Sequence, residues 1–179
     1  MFPNLLTSIR IIVAPILIIL LIFNTYKMML FGLFLFIIAS ITDFLDGYLA
    51  RLFNQKSKIG KILDPIADKL LVTSALIGLI SINIISEIHT LAATIIILRE
   101  IFVSGLREFS NNKNLNVNWM TKCKTTFQML SIIILIPSGY FDYFNIDFLF
   151  FGLTLLWLSA LLSLITGYKY FLLLISDQE

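Results

Sequence analysis

The chain has 179 residues, 59% of them apolar and only 13% charged, with a mean hydropathy of +0.95. A soluble domain carries about 45–50% apolar and about 25% charged residues, so this composition excludes a water-soluble core, a disordered chain and a disulfide scaffold. Thirteen basic against eleven acidic residues, net +2, give no general attraction for nucleic acid, and Cys123 and His89, each the sole residue of its type, remove cysteine- and histidine-based metal sites.

Six apolar runs, most of them close to the roughly 20 residues a bilayer core demands, predict an all-α integral membrane bundle of six transmembrane helices. The first runs from Leu5 to Phe23, with Pro15 expected to kink it. The second runs from Met28 to Tyr48 and the third from Pro65 to Ile85. The fourth covers Ile88 to Leu106. The fifth, Thr125 to Pro137, is short and is expected to borrow residues from Lys122 onward; the sixth runs from Phe148 to Leu174. No linker or internal repeat divides the chain, so residues 1–179 read as one domain. The first residues carry one arginine and no small-residue cleavage site, which argues against a removable signal peptide.

Basic residues orient the bundle. With the N-terminus cytoplasmic, Arg10, Arg51, Lys56, Lys58, Lys61, Lys69, Arg99, Arg107, Lys113, Lys122, Lys124 and Lys169 fall on or near the cytoplasmic side and only Lys27 falls outside. Both termini and the loops 49–63 and 107–124 are then cytoplasmic. The outer loops carry Glu87, Asp142 and Asp147 and no basic residue.

Asp43, Asp46, Asp64 and Asp68 cluster near the cytoplasmic ends of the second and third spans. Spacings of three and four residues put each pair on one helix face. An ionisable group in a membrane segment is costly unless it is paired or binds a cation. Carboxylates without nearby histidine or cysteine suit a hard divalent ion, Mg²⁺ above all, and one such ion leaves this cluster two charges short of neutral, so two are expected. Gly47 and Ala50 lie one turn beyond Asp43 and Asp46 and leave room for a ligand against the backbone. Arg51 follows, placed for an anionic group, and Gly60 lies one turn before Asp64. Pro65 is expected in the first turn of the third helix with Asp64 as its cap.

The string Asp43-x2-Asp46-Gly47-x2-Ala50-Arg51-x8-Gly60-x3-Asp64-x3-Asp68 resembles the signature of the CDP-alcohol phosphotransferase family at all eight positions. That family transfers a phospho-group from a CDP-linked alcohol or lipid to the hydroxyl of a second alcohol and releases CMP. The resemblance implies that Asp43, Asp46 and Asp64 are metal ligands and that Asp68 is both a ligand to a second ion and the general base. It implies two Mg²⁺ (or Mn²⁺) ions per site. Gly47, Ala50, Arg51 and Gly60 are implied as the CDP-lipid contacts, with Ser57 near the diphosphate.

Arg99 lies eight residues before Arg107, about 12 Å deeper in the fourth span at 1.5 Å per residue. A bias of basic residues toward membrane edges does not explain an arginine at that depth; a purely structural pairing with a buried aspartate is the competing explanation. Arg99, Arg107 and Lys122 are expected to form a basic pocket for an acceptor that carries its own phosphate. A choline- or ethanolamine-type acceptor would call for carboxylates or an aromatic cage instead.

Pro3-Asn4-Leu5-Leu6-Thr7-x2-Arg10, the stretch from Arg99 to Phe109 and Lys122-x-Lys124-Thr125-x2-Gln128-Met129 extend the likeness to bacterial phosphatidylglycerophosphate synthases. Thr121 departs from the glycine expected before Lys122. The subfamily joins CDP-diacylglycerol to sn-glycerol 3-phosphate in the cytoplasmic (inner) membrane. It implies a homodimer, a lipid bilayer as surroundings and no nucleic-acid partner. Asn4, Thr7 and Arg10 are placed on the nucleotide side, and the last span reads as generic. Acceptors such as serine, inositol phosphate or phosphatidylglycerol define the alternative within the family. A divalent-cation transporter is the alternative outside it, although transporter sites usually lie near the bilayer midplane. His89 reads as a solvated outer residue and Cys123 as a bystander.

Overall fold

Each of the six apolar runs is a helix in the computed structural model, which describes residues 2–53, 58–109, 119–140 and 147–176; side chains are described for 7–42, 63–106, 119–140 and 147–172 of these. The helices are α1 (Phe2–Ile22), α2 (Tyr26–Phe53), α3 (Lys58–Ser81), α4 (His89–Phe109), α5 (Trp119–Ser138) and α6 (Phe148–Ser176). No strand occurs among the described residues.

Side-chain pairings fix the relative directions. Thr7 meets Asp64, and Leu21 meets Gly78, so α1 and α3 run parallel. His89 meets Trp157, and Arg99 meets Ser163 and Thr166, so α4 and α6 run parallel. Ser131 meets Gly152 while Lys124 meets Ser159, which makes α5 and α6 antiparallel. The chain therefore winds up and down, and the start of α1, the end of α2, the start of α3, the end of α4, the start of α5 and the end of α6 share one end of the bundle. The candidate site residues with a described backbone lie toward that end, with Arg99 deepest, at the middle of α4.

Close helix contacts are made by small residues, as in membrane bundles. A Cβ on Gly78 would lie 2.5 Å from Leu21 Cδ1, and one on Gly152 would lie 2.6 and 2.7 Å from Leu135 Cδ2 and Cγ. Gly32, Ala39 and Ser40 on α2 act similarly: Gly32 faces Leu17, Ala39 is buried, and Ser40 Oγ reaches Met129 Sδ at 3.8 Å. Because Leu135 is fully buried and cannot swing away, Gly152→Ala is expected to destabilise the protein by about 1–3 kcal/mol, the usual cost of overpacking. A thermal melt in detergent reads this; an unchanged midpoint would show that α5 and α6 separate freely.

Apolar residues occupy both the inside and the outside of the bundle. Leu17, Phe36, Leu76, Leu79, Ile96, Ile132 and Leu135 are fully buried in one continuous core. Ile12, Phe34, Leu98, Phe150 and Tyr168 are more than half exposed. Among the described residues, His89–Leu106 and Phe148–Leu172 are long and apolar enough to cross a membrane, by length and composition, and Thr7–Ile22 and Tyr26–Thr42 are shorter apolar helices.

Several boundaries differ from the sequence reading. α3 starts at Lys58 rather than Pro65, which puts Pro65 inside the helix and Asp64 in its second turn instead of at its cap. Ile59, Ile62, Leu63, Ile66 and Ala67 keep a three-to-four spacing, so the apolar stripe carries the helix back past the proline. α3 ends at Ser81, before Ile85, because Asn83 takes a left-handed φ of 61° and the amides of Ile84 and Ile85 fold back to the Leu79 carbonyl. α1 starts at Phe2 rather than Leu5 and carries Pro15 inside it. α5 draws its extra length from Trp119 onward. His89 is half-buried at the first position of α4, where its Nδ1 accepts the Trp157 indole N–H at 3.0 Å. At the same end of the bundle, Tyr140 donates to the Asn24 carbonyl at 2.5 Å and packs edge-on against Tyr26.

Candidate active site

α2 carries Asp43, Asp46, Gly47, Ala50 and Arg51 in its last three turns, and their helical register puts Asp43, Asp46, Gly47 and Ala50 on one face. The side chains of these residues, and of Arg107 in the last turn of α4, lie outside the described residues; so does Ser57, while Gly60 sits in the first turn of α3. Asp64 and Asp68 are described. Both are half-buried, one turn apart on α3. Thr7 Oγ1 donates to Asp64 Oδ1 at 2.5 Å, which ties α1 to the carboxylate pair. Arg10, one turn beyond Thr7, is only 1% exposed, so the charged side chain is enclosed at the same end of the bundle. The aspartates that the sequence reading assigns to a metal offer only carboxylate oxygens, a chemistry that fits a hard divalent ion and no soft one.

Next to Asp68 the structure gathers cations from three helices. Arg99 on α4 and Lys124 on α5 are both buried, and Glu100 lies between them: its Oε1 accepts from Lys124 Nζ and stands 3.5 Å from Arg99 Nη1. Lys124 also interacts electrostatically with Asp68 and Lys69. Lys69 in turn donates to Ser104 Oγ on α4. Among the described residues the cluster thus brings Arg99, Lys124 and Lys69 together with Asp68 and Glu100. Charges withdrawn from water are tolerated when compensated, and guanidinium and ammonium groups gathered at one site are suited to hold an anionic guest.

Of the sequence-predicted basic pocket, the side chains of Arg99 and Lys122 are described. Arg99 is in the cluster. Lys122 is exposed in the first turn of α5, where its carbonyl accepts from Thr125 and Thr126, and it is Lys124, two residues on, that faces inward. Sequence reasoning noted Lys124 without giving it a role; the signal that finds it is register, since Lys124, Gln128, Ser131 and Leu135 form one buried stripe along α5. Lys69 likewise carries no role in the sequence reading, although it adjoins Asp68. α6 is less generic than it reads. Its Ser163 carbonyl accepts from Arg99 Nε at 3.1 Å, its Thr166 hydroxyl accepts from Arg99 Nη2 at 2.8 Å, and the Tyr170 ring centre lies 5.9 Å from the guanidinium carbon.

Known proteins resemble the chain over most of its length. The family profile described as CDP-alcohol phosphatidyltransferase matches residues 1–165. A protein of Rickettsia bellii (strain RML369-C), named CDP-diacylglycerol–glycerol-3-phosphate 3-phosphatidyltransferase, is 44% identical over 174 residues, covering 94% of this chain and 92% of its own length. Proteins of the same name from Cereibacter sphaeroides and Salmonella choleraesuis are 38% and 36% identical, each across 94% of this chain and 93% and 91% of their own. With the profile spanning most of its length and relatives aligned nearly end to end, the chain belongs to the CDP-alcohol phosphatidyltransferase family.

Proposed function

We propose that this protein transfers the phosphatidyl group from CDP-diacylglycerol to sn-glycerol 3-phosphate, forming phosphatidylglycerol phosphate and CMP. The observation that carries the acceptor assignment is the gathering of Arg99, Lys124 and Lys69 at the end of the bundle that holds Asp68, with Arg99 and Lys124 buried. It suits an acceptor that brings its own phosphate. The names of relatives at 36–44% identity agree with it.

In the proposed reaction the acceptor hydroxyl oxygen attacks the phosphorus that bears the diacylglycerol. The bond from that phosphorus to the CMP oxygen breaks, and CMP leaves with the electron pair. The hydroxyl proton passes to Asp68, which must lie within hydrogen-bond reach of it. Asp43, Asp46, Asp64 and Asp68 would hold Mg²⁺ or Mn²⁺, which when bound neutralises the diphosphate and favours in-line displacement. Gly47, Ala50, Arg51, Ser57 and Gly60 would receive the nucleotide; Arg99, Lys124 and Arg107 would receive the acceptor phosphate. The apolar exterior and the distribution of basic residues support a bundle in the cytoplasmic membrane with the aspartate end inside.

The test is an assay of purified protein in detergent with CDP-diacylglycerol, Mg²⁺ or Mn²⁺ and a panel of acceptors, read by CMP release and product analysis. Glycerol 3-phosphate is expected to be the productive acceptor, and chelation of the metal is expected to stop turnover. Product from serine or inositol phosphate with none from glycerol 3-phosphate would overturn the assignment.

A further inference from the structure

Helix α6 has the composition of a lipid-facing span, yet Ser159, Ser163, Thr166 and Tyr170 recur on it at helical spacing and all are buried. Their partners are the two buried cations and their helices. Ser159 Oγ donates to the Lys124 carbonyl at 3.3 Å. The Ser163 carbonyl and the Thr166 hydroxyl take two of the five N–H groups of Arg99, while the Thr166 hydroxyl is itself anchored to the Leu162 carbonyl at 2.7 Å. Gly167 completes the fit, since a Cβ there would come within 3.2 Å of Arg99 Cγ and 3.6 Å of its Nε. Tyr170 offers its ring to the guanidinium. A carbonyl, a hydroxyl, a missing Cβ and an aromatic face therefore surround one arginine, and all four come from eight consecutive residues.

We propose that the segment from Ser163 to Tyr170 is a socket that aims the Arg99 guanidinium at the acceptor's phosphate, with Thr166 as its principal positioning residue. The inference rests on the reading of Arg99 as an acceptor-phosphate contact. An arginine has many rotamers, and its planar fork is effective only in the orientation that matches phosphate oxygens. Ser163 and Thr166 hold Nε and Nη2 against α6 while Nη1 stands 3.5 Å from Glu100, so the direction of the fork is determined. Thr166 acts through Arg99 and does not itself touch substrate.

The experiment compares Arg99→Ala, Thr166→Val, Thr166→Ser and Gly167→Ala by steady-state kinetics with both substrates varied, alongside thermal melts. Thr166→Val keeps the shape and loses the acceptor atom. It is expected to raise KM for glycerol 3-phosphate about tenfold, the scale of one hydrogen bond to a charged group, with KM for CDP-diacylglycerol unchanged. Thr166→Ser is expected to restore the wild-type value, and Gly167→Ala, which displaces the arginine stem, to reproduce the defect. Should Arg99→Ala raise the acceptor KM while Thr166→Val and Gly167→Ala leave it alone, the socket is wrong and the acceptor reading stands. An acceptor KM that Arg99→Ala does not move overturns both. Equal changes in the two KM values with a lowered melting point, unrescued by serine, would reduce Thr166 to a packing residue and also overturn the proposal.

Discussion

Asp68→Asn is expected to lower turnover by about three orders of magnitude, within the range of about 10²–10⁴ that a positioned general base contributes. The substitution preserves size and removes the ability to take a proton. The proposed reaction gives Asp68 this role; it adjoins the cation cluster as well as Asp64: Lys124 senses its charge, and Lys69 is its neighbour in sequence. The KM values of both substrates should move by only a few-fold, because the lost interaction belongs to the transition state. A tenfold increase in Mg²⁺ should not restore the rate. Restoration would make Asp68 a metal ligand only, and turnover near that of the wild type would remove it from the chemistry.

Lys124→Met is expected to have two separable effects. Removing one partner of a buried ion pair leaves the other charge uncompensated, a loss of about 3–5 kcal/mol. Glu100 would here keep only the more distant contact to Arg99, at 3.5 Å. The double variant Lys124→Met/Glu100→Gln removes both charges and should regain most of the melting temperature. Its KM for glycerol 3-phosphate should nevertheless stay raised about 100-fold, equivalent to about 2.7 kcal/mol of lost phosphate binding. Equal acceptor KM in the double variant and the wild type would show that Lys124 serves folding alone.

The helix count and the family signature were legible in the sequence because both rest on local information. An apolar run of sufficient length announces a helix, and the aspartate spacing announces a shared face. What was not legible depends on which way a side chain turns. Lys122 and Lys124 look equivalent in a string of letters, yet two residues rotate a helix by about 200°, so one is exposed and the other buried. Pro65 looked like a helix start because proline favours that position, but the apolar stripe of α3 runs through it. His89 looked solvated because it borders a loop; its Trp157 partner lies 68 residues away. The polar face of α6 was hidden for the same reason, since serines and a threonine in an apolar run acquire meaning only when Arg99 is seen between them.

The contacts between α1 and α3 have a mechanical consequence. Thr7 holds Asp64 at one end and Leu21 fills the notch at Gly78 at the other; the two fastenings are fourteen residues apart on both helices, about 21 Å at 1.5 Å per residue. Two rods bolted at equal intervals cannot slip past each other by a turn without breaking both joints. Any movement that opens a way to Asp64 and Asp68 then leaves α1 and α3 in fixed register, a pair that shifts as one piece against the remaining helices.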